Sequence, residues 1–337
     1  MTKRRIALSA LIAIFALAGF LLINNPSASP SVAEVGENST EQHDRLDTIS
    51  LPHFTNRKFD GRDLKLDRIL DANGTYTRYH ITYYSGELKI SGIMNIPSGS
   101  GPFPLLILNH GFIPPKIYTN GRGLKREQDY FARRGYAVLH ADYRNHAESD
   151  KDTLNEFKWG QGYVEDVMNA IYAVKHSDLE KIDTNHIGMM GHSMGGGIAL
   201  RIMVTFPELI QAYVLYAPVS ADARDNFYRW TIKSPIADTL LILFGTPDEN
   251  PTFWADISPI NFLDKVRAPI LINHGSIDES CKLEWSVRTA DTLKARGKNV
   301  TLTIYTGEKH EFINAFPQVM ENTVKFFDEY LKRAKAN

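Results

Sequence analysis

The chain has 337 residues, with 38 Lys and Arg against 39 Asp and Glu and 43% hydrophobic residues. These values exclude a disordered or fibrous chain, and the near-neutral balance offers no basic face to nucleic acid. A single cysteine, Cys281, excludes an internal disulfide and Cys-rich zinc or iron–sulfur sites.

In chain order, Lys3, Arg4 and Arg5 precede an apolar run from Ile6 to Ile23 that only Ser9 interrupts. As a helix this run reaches about 27 Å, enough to cross a hydrocarbon core, with the basic residues on the cytoplasmic side. Residues 1–23 are therefore expected to be a signal peptide or a membrane anchor. Ser31-Val32-Ala33 has the chemistry of a cleavage site but lies well past the run, and a retained anchor accounts for the run's length. Either way the body of the protein is expected outside the cytoplasm, exported or membrane-anchored. Residues 24–45, rich in Ser, Pro, Asn and Glu, read as a flexible linker, and 46–337 as the folded domain.

The body opens with two β-rich segments, 78–84 and 88–96, around Ser85-Gly86-Glu87, which predicts an antiparallel hairpin. A short continuous apolar run at 104–109 predicts a strand buried on both faces, and further strands are predicted at 136–141, 186–190, 212–217, 269–273 and 300–305. Helical spacing falls between them, at 122–134, 161–176, 194–205, 281–296 and 318–333. Repeated β–α units predict a mostly parallel, doubly wound α/β sheet. The segment 218–268 is too long for a plain loop. With Phe227, Tyr228, Trp230, Phe244, Phe253 and Trp254 it reads as a partly helical cap over the sheet end, either lining a pocket or forming a small aromatic core of its own.

The chemistry is expected at strand ends. Gly191-His192-Ser193-Met194-Gly195 follows the strand at 186–190 and opens a helix, the setting a nucleophile elbow requires. Flanking glycines relieve Cβ clashes in so sharp a turn, and the Met194 N–H points where an oxyanion forms. A serine at its free pKa needs a base, and the base an orienting acid. Asp278 follows the strand at 269–273 and His310 the strand at 300–305, in the chain order Ser, Asp, His. Glu279 is the competing acid; Asp256 and Asp264 precede their strand and lie on the wrong side of it. The loop Asn109-His110-Gly111-Phe112-Ile113-Pro114-Pro115 offers the Phe112 N–H as second oxyanion donor, since the prolines have none. Tyr118, Phe227, Trp230 and Trp254 are the candidate pocket residues. Asp142 and Arg144 read as a structural pair, and Cys281 as a small buried thiol. His140 and His146 lack ligand spacing around them, so no metal is expected, and no nucleotide-binding motif is present.

These residues resemble the α/β-hydrolase superfamily, and within it the catalytic domain of the prolyl oligopeptidase family of serine peptidases and its single-domain esterase relatives. The likeness runs from about residue 78 to the C-terminus. It rests on Asn109 to Phe112, Asp142 to His146, Gly191 to Gly196, Ala268 to Leu271 leading into His274 to Asp278, and His310. It implies Ser193 as nucleophile, His310 as base, Asp278 as orienting acid, and the Met194 and Phe112 amides as oxyanion hole, with no cofactor. Large members place a β-propeller ahead of this domain, and the residues before the match are too few for one. Asn145 also stands where relatives often carry Gly. The expected partner is thus a small ester or short peptide, with membrane attachment only through the N-terminal run. A carboxylesterase without peptidase activity and a catalytically inactive ligand-binding protein on the same fold are the remaining alternatives.

Overall fold

The computed structural model describes residues 48–332; the signal-or-anchor segment and the linker lie outside the described residues. Among the described residues no helix is long and apolar enough to cross a membrane.

The two hairpin segments and the six later strand segments become eight strands of one nine-stranded sheet: β1 Arg62–Ala72, β2 Tyr76–Ser85, β3 Leu88–Pro97, β4 Phe103–Asn109, β5 Ala137–Ala141, β6 Ile182–His192, β7 Ala212–Tyr216, β8 Ile270–Gly275 and β9 Val300–Tyr305. Their order is β1-β2-β3-β5-β4-β6-β7-β8-β9. The expected hairpin is β2–β3, closing at Ser85↔Leu88. It joins β5 antiparallel, and every pairing from β5 across to β9 is parallel. β4 is flanked by β5 on one side and β6 on the other, so the chain reverses its direction of growth there. Open α/β sheets bind ligands outside the carboxyl ends of strands at such a point.

The side-chain alternation of the central strands explains the two helical layers. Leu105, Ile107, Leu139, Met189, Leu215 and Ile272 face one core. It is covered by α1 (Leu51–Phe54), α3 (Gln161–Lys175), α4 (Met194–Thr205) and α8 (Leu283–Ala295). Leu106, Leu108, Val138, Met190, Val214 and Leu271 face the other, under α2 (Lys125–Ala132) and α9 (Phe316–Leu331). Strands whose every residue is buried, as in β5, β7 and β8, follow from coverage on both faces.

One strand was not foreseen. β1 alternates charged and apolar residues, and only Leu64 and Leu66 pack on the core. It is an edge strand kept from further pairing by its charges, with three irregularities in its register against β2. The 218–268 segment holds α5 (Ala223–Arg229), α6 (Ala237–Phe244), α7 (Pro251–Asp256) and 3-10 turns at Thr231–Lys233 and Pro259–Lys265. Its Phe227, Leu240, Phe244, Phe253, Trp254 and Ile257 form a third apolar cluster, separate from the two sheet cores.

Candidate active site

The turn between β6 and α4 is strained at one residue. Ser193 adopts φ 55° and ψ −118°, a conformation that a non-glycine residue keeps only where its surroundings impose it. Ser193 N donates to Tyr216 O at 3.1 Å, while Ser193 O accepts from the Gly196, Gly197 and Val219 amides. The neighbouring glycines are required by space. A Cβ on Gly191 would lie 2.2 Å from Gly195 O, and one on Gly195 would lie 2.0 Å from Asn109 O. A Cβ on Gly111 would stand 3.0 Å from the Ser193 Cβ, so the loop after β4 runs directly against the serine.

The ends of β8 and β9 carry the other two groups. Gly275 lets their loops meet, since a Cβ there would lie 2.3 Å from Glu308 O. His310 Nδ1 donates to Asp278 Oδ2 at 2.7 Å. The other carboxylate oxygen of Asp278 accepts from the Ser280 and Cys281 amides at 2.8 and 2.9 Å, and His274 Nε2 lies 3.4 Å from Oδ2. Burial opposes ionisation of Asp278, but the hydrogen bonds from His274 and His310 outweigh it and hold the carboxyl well below the usual range. Glu279 points to solvent and pairs with Lys309 at 3.3 Å, so Asp278 and not Glu279 meets the imidazole. The buried Glu308 carboxylate accepts from the Ala315 amide at 2.9 Å and ties the loop carrying His310 onto the start of α9.

Among the described residues, Ser193 Oγ has one hydrogen-bonding neighbour, the Cys281 sulfur at 3.9 Å, and makes no hydrogen bond to His310 in this conformation. The side chains of Ser193 and His310 nevertheless line one cavity. Cys281 is more than a filler: its amide holds Asp278, and its carbonyl accepts from His274 Nε2 at 3.1 Å. Burial, with Asp278 beside it, pushes its thiol up to about 12, so it is no nucleophile. The backing roles of Cys281 and His274 were not foreseen, and their placement one and four residues from Ser280 and Asp278 was the only available signal.

Phe112 and Met194 also line the cavity, and among the described residues neither amide N–H has an acceptor. The Phe112 loop is anchored from below by Asp142, a buried carboxylate that accepts from Ser91 Oγ, Tyr118 Oη, Asn120 Nδ2 and Gly121 N at 2.6–2.8 Å. The expected Asp142–Arg144 pair is corrected. Arg144 pairs with Asp152, Glu165 and Asp166 at 2.8–3.0 Å, carboxylates that lie further along the chain. Asn145 takes φ 72°, the left-handed region that asparagine tolerates best after glycine, which accounts for its use there.

The cavity has a volume of about 780 Å³. Of the four candidate pocket residues, Trp230 lines it. The other three are corrected. Tyr118 is buried with its hydroxyl spent on Asp142. Phe227 and Trp254 are buried in the aromatic cluster of the cap, their rings 4.9 Å apart and both packed on Trp159. The foreseen residues missed Trp159, Arg201 and Tyr216, which do line the cavity.

Among the described residues, possible metal-binding atoms come within 4.8 Å of one another in one group, His192, His310 and Glu311. His310 is committed to Asp278 through Nδ1. His192 donates its Nε2–H to His310 O at 3.2 Å, and burial, followed by the neighbouring His310, drives its pKa down to about 3. A cation there would take the imidazole nitrogen that a nucleophilic serine needs.

The sequence pattern of the prolyl oligopeptidase family matches residues 123–334. The chain belongs to that family. Human acylamino-acid-releasing enzyme is 27% identical over 185 residues, which cover 52% of this chain and 24% of that protein. The chain thus spans about a quarter of that relative's length. The uncharacterized peptidase YtmA of Bacillus subtilis (strain 168) is 24% identical over 237 residues, 69% of this chain and 86% of that protein. In the solved structure of the uncomplexed acylaminoacyl peptidase from Pyrococcus horikoshii, 43% of that chain superposes on 78% of this one, with a TM-score of 0.63 and 23% identity. That likeness establishes the α/β-hydrolase fold.

Proposed function

We propose that the protein cleaves carboxylic ester or peptide bonds of small substrates by acyl transfer through Ser193, His310 and Asp278. The observation that carries this reading is the 2.7 Å contact from His310 Nδ1 to Asp278, with the free side of the imidazole and the strained Ser193 on one cavity. The hydrogen bond from Ser193 Oγ to His310 is expected to form in the substrate complex, since such contacts commonly tighten only when substrate binds. His310 takes the hydroxyl proton as Oγ attacks the carbonyl carbon. Asp278, already ionised, holds the tautomer and stabilises the imidazolium. The unpaired amides of Met194 and Phe112 receive the oxyanion, each worth about 3 kcal/mol. The imidazolium then protonates the leaving alcohol or amine, and water attacks the acyl-enzyme with His310 again as base.

The basic N-terminus and the apolar run Ile6 to Ile23 support export or membrane anchoring, with the catalytic domain outside the cytoplasm. For the chemistry, the test is active-site labelling with a fluorophosphonate, run beside hydrolysis of short p-nitrophenyl esters and aminoacyl amides. Ser193→Ala is expected to abolish both labelling and turnover. Full turnover in that variant, or label on another residue, overturns the assignment.

A further inference from the structure

Among the described residues, the Arg201 guanidinium lines the cavity without a carboxylate partner. Arg201 lies on α4 eight residues after Ser193, about 12 Å along the helix axis, and with Gly197 and Ile198 it lines the same wall as the serine. Helical side chains lean toward the N-terminus, here toward Ser193. Its Nη1 donates to Trp159 O at 2.9 Å. Among the described residues no carboxylate pairs with it, in contrast to Arg144 with its three. The acids that share the cavity are engaged elsewhere or open to water. Glu127 lies 3.4 Å from Arg126, and Glu156 and Glu311 are exposed. Burial lowers the Arg201 pKa to about 10 with no acid raising it, so the group remains a cation at neutral pH.

A half-buried cation without a counterion gives up hydration that no acid repays. Placed in a cavity beside a nucleophile, such a group marks a functional site. A guanidinium has five N–H donors in a planar fork that matches a carboxylate in two parallel bonds, and the carbonyl of Trp159 uses only part of that fork.

We propose that Arg201 recognises a carboxylate on the substrate, and that the protein prefers short peptides or esters bearing an anionic group two to three residue lengths from the scissile carbonyl. The spacing follows from the ~12 Å along α4, shortened by the side chain's reach, against roughly 3.5 Å per extended residue. This inference rests on the acyl-transfer reading above.

The experiment compares matched substrates with and without a carboxylate. One pair carries it on the acyl side, p-nitrophenyl hydrogen suberate against p-nitrophenyl octanoate. The other carries it on the leaving-group side, 6-acetoxyhexanoate against hexyl acetate. In at least one pair the anionic member is expected to have about a tenfold or greater advantage in kcat/KM, residing mainly in KM, as for a hydrogen bond to a charged group. Arg201→Met is expected to collapse that ratio toward one, and Arg201→Lys to keep part of it. In the wild-type protein, suberate is expected to inhibit competitively and suberamide not to, a readout that needs no variant. Equal handling of both members of both pairs, or a ratio unchanged in Arg201→Met, overturns the proposal. Absence of any Ser193-dependent hydrolysis would instead defeat the acyl-transfer reading, so the two failures are distinguishable.

Discussion

Replacing Gly195 with Ala tests whether the close approach of β4 to the elbow sets the geometry of the nucleophile. The new Cβ would lie 2.0 Å from Asn109 O and 2.5 Å from Asn109 C. A comfortable carbon–oxygen contact is roughly 3.3 Å, so the end of β4 and the first turn of α4 must part by about 1.3 Å. Both obstructing atoms are backbone, and no side-chain rotation relieves them. Alanine recovers about 1 kcal/mol of helix propensity, but overpacking of this kind costs about 1–3 kcal/mol or more, so the clash wins. A displacement of an ångström at a reacting group costs about 100-fold in rate. We expect Gly195→Ala to lower kcat/KM on a p-nitrophenyl ester by at least that factor and to lower the melting temperature. Gly197→Ala is the comparison. Its Cβ would meet a methyl of Val219 at 2.7 Å, the end of a side chain that can turn away, and its loss should be far smaller. A Gly195→Ala protein as active and as stable as wild type, or the reverse ranking of the two variants, would refute the reasoning.

Asp278→Asn keeps the shape but removes the charge beside His310 Nδ1, and kcat is expected to fall about 10⁴-fold with little change in KM; a loss smaller than tenfold would mean that another acid orients the imidazole. Acid should destabilise the fold through imidazoles that burial keeps neutral, among them His110, His140 and His192. Burial lowers His110 to about 4 and His192 to about 3, whereas the unfolded chain protonates near 6.5. Between these values the unfolded state binds more protons, so stability falls as pH drops from 6.5 to about 4, by at most about 1.4 kcal/mol per pH unit for each histidine. Thermal unfolding followed against pH measures this slope, and His110→Asn should flatten it.

Much of the fold was legible because its strands are short apolar runs and its helices carry an unbroken stripe. The stripe from Val164 to Val174 predicted α3 to within a residue or so. The elbow was legible because its constraint is local: glycines on both sides of one serine, between a strand and a helix. Asp278 and His310 were legible from their positions after β8 and β9. What stayed hidden depends on contacts between distant segments. β1 has too little apolar alternation to declare itself, being an edge strand. The partners of Arg144 lie on another helix and loop. Nothing in residues 218–268 tells which aromatics face the cavity, because the burial of Phe227 and Trp254 is decided by Trp159, outside that segment. Arg201 carries no signal in the sequence, and only the tertiary surroundings reveal that among the described residues no acid answers it.

The third apolar cluster gives the molecule a built-in optical reporter. All four tryptophans sit in the cap or against it: Trp159 and Trp254 share that cluster, and Trp230 stacks edge-on with Trp285 at 5.5 Å. Intrinsic emission therefore reads the cap, whereas far-ultraviolet dichroism is dominated by the sheet and its covering helices. Recorded together during denaturation, the two signals separate loosening of the lid from collapse of the scaffold beneath it.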